Sequence, residues 1–167
     1  MYELLKELFP LNRSLTGEGV RKTFDLLKSH IDGLKIHSIP SGEKVFDWTV
    51  PNEWNISEAY IIKPDGKKIC NYNENNLHLV GYSTPIEKII NLEKLQNHLH
   101  SLKELPHAIP YITSYYDNNW GFCISENERL KLLPGNYKVV IKGTLKPGNL
   151  NYGDVFIPST QGTEKEV

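Results

Sequence analysis

Apolar residues along this chain switch between helical and strand-like spacing, and each switch predicts a change of element. Residues 2–9 form a short helix candidate closed by Pro10, followed by a loop rich in capping residues and glycine over 11–19. Val20, Phe24, Leu27 and Ile31 then fall on one helical face, and Gly33 supplies the stop. Residues 34–39 read as a strand ending at Pro40.

Beyond residue 40 alternation takes over. Phe46, Trp48 and Val50 alternate with Asp47 and Thr49, which predicts a half-buried strand. Residues 59–63 and 67–72 flank Pro64-Asp65-Gly66, a hairpin turn by its chemistry. Residues 77–82 give another strand. Leu92, Leu95, Leu99 and Leu102 predict a helix of about three turns, ended by Pro106. Residues 109–116 and 120–125 form an expected hairpin around Asp117-Asn118-Asn119, and Ser125 with Glu128 fits a capping box opening a short helix to Leu133. Residues 137–143 and 151–157, joined by Lys146-Pro147-Gly148-Asn149, read as a last hairpin, and 163–167 as a polar turn. The expected fold is α/β (α+β), with a small α+β unit over 41–134 set between 1–40 and 135–167.

Composition narrows the classes of function. Hydrophobic residues make up 39% of the 167 residues and charged ones 23%, enough for a packed core and too few charges for general disorder. Nineteen Lys and Arg against twenty Asp and Glu leave a charge of −1. The densest basic stretch, 63–68, is broken by a turn, so no phosphate-binding surface and no nucleic-acid partner is expected. Cys70 and Cys123 sit far apart in apolar runs and read as reduced, buried thiols. No stretch resembles a signal peptide or the ~20 apolar residues of a membrane span. The expectation is a soluble cytoplasmic protein with no membrane partner.

Candidate chemistry is sparse. Histidines at 30, 37, 78, 98, 100 and 107 include no His-Glu-x-x-His pair. His98 and His100, placed on the leucine-spaced helix, would diverge by roughly 200° and could not chelate one ion. No metal ligand and no catalytic residue is assigned. Cys123 has no cationic neighbour in sequence that would activate it. Thr16-Gly17-Glu18-Gly19 opens a helix and could, with Arg13, contribute to a carboxylate or phosphate pocket, although helix initiation explains it too. Among the aromatic residues, Tyr82, Tyr111, Tyr115, Tyr116 and Trp120 belong either to core or to a substrate cleft. Arg13, Tyr82, Tyr115 and Trp120 are the substrate-binding candidates.

Several long segments carry a resemblance. They are Leu8-Phe-Pro-Leu-Asn-Arg-Ser-Leu-Thr-Gly-Glu-Gly-Val-Arg21, Ile39-Pro-Ser-Gly-Glu-Lys-Val-Phe-Asp-Trp-Thr-Val-Pro51, Asn76-Leu-His-Leu-Val-Gly-Tyr-Ser-Thr-Pro85, Ile109-Pro-Tyr-Ile-Thr-Ser-Tyr-Tyr116 and Trp120-Gly-Phe-Cys123. In this order they resemble a bacterial zinc aminopeptidase-like family whose peptidase domain is interrupted by an inserted domain of unknown function. The resemblance implies a mixed sheet flanked by helices. It also implies one or two zinc ions held by His, Asp and Glu, with a separate Glu as general base and a small peptide or amino compound as substrate. Such a metal polarises the peptide carbonyl and acidifies the attacking water.

In that family the first ligands fall in a stretch resembling Ser-Thr-His-x-Cys-His-Pro, followed by Ala-Asn-Asp-Asn, and expected just after Val167. The chain is therefore expected to be an N-terminal portion that binds no zinc and is inactive alone, with zinc belonging to the full-length protein. The other reading is a non-catalytic binding or oligomerisation module with an aromatic-lined cleft. An uncovered 137–157 hairpin predicts a homo-oligomer, aggregation, or reliance on the inserted domain for stability.

Overall fold

A computed structural model describes residues 2–114 and 117–158. The chain opens with helices α1 (Tyr2–Leu8) and α2 (Glu18–Lys28) and then strand β1 (Lys35–Pro40). Strands β2 (Lys44–Val45), β3 (Trp48–Thr49), β4 (Glu53–Ile62), β5 (Lys68–Ile69) and β6 (Ile86–Asn91) follow. Then come helix α3 (Leu92–Gln96), strands β7 (Leu99–His100) and β8 (Phe122–Cys123), helix α4 (Glu126–Arg129), and strands β9 (Asn136–Lys146) and β10 (Asn149–Asp154). The chain is a mixed α+β fold, as the sequence pattern indicates.

The principal sheet is antiparallel in the order β5-β4-β9-β6. Its long pair runs from Glu53↔Lys146 to Ile62↔Lys138, with a register shift between Ile56 and Glu58. β9 is an interior strand: Tyr137, Val139 and Ile141 face the core, while Val140 is buried on the other side, between the solvent-facing Lys138 and Lys142. Ala59, Ile61, Leu95, Phe122 and Ile124 complete the core against it. A separate ribbon pairs β1 with β10, from Lys35↔Asp154 to Pro40↔Asn149.

Two turns read from sequence are present as expected. Pro64-Asp65-Gly66 closes β4 onto β5, with Asp65 Oδ1 accepting from the Lys67 amide at 3.0 Å. Ser125 Oγ caps α4 by accepting from the Glu128 amide at 3.3 Å, and its hydroxyl donates to the Glu128 carboxylate at 2.9 Å.

Other expectations are overturned by tertiary pairing. The 137–157 hairpin does not form: β9 joins the principal sheet while β10 crosses to β1, so the two strands part at Pro147-Gly148. The strand expected over 46–50 is a two-residue hairpin turn, with Phe46 at φ 57 and 99% exposed between β2 and β3. The three-turn helix ends at Gln96, because the carbonyls of His98 and His100 accept from the amides of Phe122 and Ile124 at 2.8 and 2.9 Å. Residues 76–78 form a short 3-10 turn rather than a strand, capped by Asn75. Residues 109–114 do not pair with 120–125. Their bridge is Thr113 to Gly81, and β8 instead pairs in parallel with β7. Among the described residues no helix is long and apolar enough to cross a membrane.

Candidate functional site

An open cleft of about 460 Å³ lies where the segment after α1 meets the 76–81 turn and Tyr111. Its position follows from a few close approaches. Gly19 lets the backbone at Asn12 pass over it, since a Cβ there would lie 1.7 Å from the Asn12 oxygen. Gly81 sits against the hydroxyls of Ser14 and Thr113, at 2.7 and 2.9 Å from where its Cβ would be. Asn76 Nδ2 donates to the Pro10 carbonyl at 3.3 Å and ties the turn to the N-terminal segment.

The cleft combines apolar walls with one uncommitted charge. Phe9 and Tyr111 are 68% and 70% exposed and line it together with Arg13. Arg13 is exposed, and its guanidinium makes no hydrogen bond or ion pair among the described residues. A guanidinium in a cleft lined by aromatic rings suits a carboxylate carried on an apolar or aromatic body.

Behind the cleft stands a buried polar array. Tyr82, at φ 64 and 3% exposed, stacks on Trp54 with centroids 5.5 Å apart. Its hydroxyl lies 2.6 Å from Thr16 Oγ1, which also accepts from the Trp54 amide at 3.1 Å. The Trp54 indole N–H donates to the Ser83 carbonyl at 2.9 Å. Burial pushes the Tyr82 phenol up, so it remains a neutral hydrogen-bonding group.

The helix opening at Thr16-Gly17-Glu18-Gly19 is occupied by the protein itself. The Glu18 amide donates to Asn55 Oδ1 at 2.8 Å, and a Cβ on Gly17 would lie 2.5 Å from the Trp54 carbonyl. One turn along, Arg21 grips Glu53 with two bonds of 3.0 and 2.7 Å. Glu53 also accepts from Asn55 Nδ2 at 2.8 Å and the Asn149 amide at 3.2 Å, so one carboxylate fastens α2, β4 and the start of β10. The Arg21 bond holds the Glu53 carboxyl down at about 2. Sequence spacing gave no signal for this pair, because the partners are far apart in the chain.

The substrate-binding candidates divide. Arg13 lies on the cleft, and Tyr82 is packed behind it through Trp54. Trp120 is 7% exposed elsewhere, stacked on His98 at 3.6 Å with Lys88 Nζ 4.5 Å from its ring. Tyr115 lies outside the described residues, as do Tyr116 and 159–167. Tyr111, grouped with the aromatics in sequence but not selected from them, lines the cleft. His98 follows α3 rather than sitting on it, and its Nδ1 donates to the Trp120 carbonyl at 2.9 Å. Cys123 is fully buried with its thiol pushed up to about 11 by that burial, which leaves no thiolate for nucleophilic work. Among the described residues no group of three or more His, Cys, Asp or Glu could hold a metal ion.

This α+β frame, with its ribbon and central antiparallel sheet, is shared with a solved bacterial protein. The match is to the "Crystal structure of putative peptidase" from Clostridium acetobutylicum, with a TM-score of 0.87 and 49% identity over 91% of this chain and 36% of that one. Residues 53–144 match the domain of unknown function DUF2172, and the chain belongs to that family. A curated relative, the "Putative polysaccharide biosynthesis protein with aminopeptidase-like domain" of Clostridium acetobutylicum, is 48% identical over 157 residues. That alignment takes in 94% of this chain and 36% of the relative, so the chain spans about a third of its length.

Proposed function

We propose that this chain is the N-terminal portion of a zinc-dependent aminopeptidase-like hydrolase acting in the cytoplasm. It supplies a substrate-facing cleft, while the zinc ligands and general base lie in polypeptide beyond it. The observation that carries the reading is the unpaired Arg13 guanidinium lining one cleft with Phe9 and Tyr111, in a chain aligned over 94% of its length with a relative named for an aminopeptidase-like domain. Arg13 would hold the carboxylate of a small peptide or acidic amino compound, leaving its amino end directed to the metal.

The domain plan belongs to the same proposal. Ser41 and Gly148 exchange two hydrogen bonds, Ser41 amide to Gly148 carbonyl at 2.9 Å and Gly148 amide to Ser41 Oγ at 3.0 Å. A segment that leaves and returns through one bonded pair behaves as an insertion. The inserted domain then extends past the 134 boundary expected from sequence to take in β9, and α1, α2 and the β1–β10 ribbon belong to the peptidase-like part.

The test joins residues 1–158 to the C-terminal part of the Clostridium relative. The fused protein is expected to hydrolyse leucyl-peptides in a chelator-sensitive way, with Arg13→Ala raising KM about tenfold for a dipeptide and leaving its amide derivative unaffected. An equal effect on acid and amide would remove Arg13 from carboxylate binding. The cleft also favours a second reading, a binding module that needs no metal. That reading requires residues 1–167 alone to bind peptides at micromolar levels, and flat calorimetric titrations would dismiss it.

A further inference from the structure

A second cavity, of about 360 Å³, lies entirely within the DUF2172 segment and away from the Arg13 cleft. Its floor is apolar: Ile69, Ile124 and Leu132, with Cys70 buried among them and its thiol pushed up by that burial. Its rim carries both signs of charge, with three lysines, two glutamates and His78. A simple anion site would not place carboxylates against its ligand, and a simple cation site would not place lysines there.

The bonding already in place narrows what is left for a ligand. Lys63 is paired with Asp65 at 2.9 Å, and Lys68 lies 3.9 Å from the Tyr60 ring centroid. Lys131 is exposed and makes no ion pair or side-chain hydrogen bond among the described residues. Glu74 Oε1 accepts from Asn71 at 2.8 Å and its other oxygen is open. The Nδ1–H of His78 donates to the Cys123 carbonyl at 2.8 Å, which fixes the tautomer and leaves Nε2 a bare acceptor on a ring lining the cavity. Glu128 likewise has one oxygen taken, by Ser125 at 2.9 Å, so the uncommitted groups among the described residues are one ammonium donor, one oxygen each of Glu74 and Glu128, and one imidazole acceptor around an apolar floor.

We propose that this cavity binds a free apolar α-amino acid as its zwitterion. Lys131 takes the carboxylate, Glu74 and His78 Nε2 take the ammonium, and the side chain lies on Ile69, Ile124 and Leu132. The volume is at the small end of ligand cavities, which suits a single amino acid better than a peptide.

Calorimetry or NMR titration of the chain with L-leucine, 4-methylpentanoate and 3-methylbutylamine separates the possibilities. The last two each keep one of the two charged groups. Leucine is expected to bind with a Kd below about 1 mM and each half-molecule at least tenfold more weakly. Lys131→Glu and Glu74→Gln, both at exposed positions, are each expected to weaken leucine about tenfold with an unchanged thermal midpoint. Arg13→Ala should leave leucine binding intact, which separates this site from the Arg13 cleft. Equal binding of 4-methylpentanoate, loss of binding through Arg13→Ala, or no saturation by leucine at ~20 mM would each overturn the proposal.

Discussion

At the scale of single residues, Glu53 is the most heavily bonded carboxylate among the described residues. Its carboxyl is held at about 2, against an ordinary glutamate value of 4.5, first by the Arg21 bond. A depressed acid contributes stability that is fully present above the unfolded value and lost as pH falls towards the folded one. Glu53→Gln is therefore expected to destabilise by about 2 kcal/mol at pH 7, with the deficit shrinking between about pH 4.5 and 2. Denaturant melts of both proteins across that range check the prediction, and a pH-independent deficit would contradict it. Tyr82→Phe removes the contact to Thr16 and should cost about 1 kcal/mol without abolishing the fold. None of this was legible in the sequence. Arg21, Glu53 and Asn149 are ordinary polar residues until β4 and β10 bring them together, and no local pattern marks their meeting.

Elements tell a mixed story for a physical reason. Where a turn's own chemistry decides, as at Pro64-Asp65-Gly66 or the Ser125–Glu128 cap, local sequence was sufficient. Where distant backbone competes, it was not. Leucine spacing over 92–102 favours a helix, yet Leu99 pairs with Phe122 and the helix stops after five residues. The alternation at Phe46-Asp47-Trp48 hid a turn, because phenylalanine at φ 57 is a conformation its side chain disfavours. With its ring 99% exposed, Phe46 gains nothing from burial in return for that strain. Phe46→Asn should accordingly raise stability by about 0.5–1 kcal/mol, read as a higher thermal midpoint. A lower midpoint would show that the ring makes a contact in solution that the fold does not reveal.

Across the whole molecule, two regions differ in how well they are covered. The principal sheet has a closed core, whereas α2 has no fully buried residue and Val155, Phe156 and Ile157 are exposed beyond β10. Among the described residues the β1–β10 ribbon is two-stranded, with its outer edges unpaired. Hydrogen exchange is expected to be slow at Val139–Ile141 and fast along β1 and β10, because isolated two-stranded ribbons are marginal in water. Uniform protection in both would mean that the ribbon is covered by a second copy. The paired hydrogen bonds between Ser41 and Gly148, far apart in the chain, had no signal in the sequence and needed the fold to appear.

Under the proposed function, the zinc chemistry resides outside these 167 residues. Metal analysis of the purified chain, paired with a leucyl-p-nitroanilide assay with and without chelator, addresses that directly. Less than about a tenth of an equivalent of zinc and no chelator-sensitive turnover is the predicted result. One equivalent of zinc per chain with chelator-sensitive hydrolysis would contradict it.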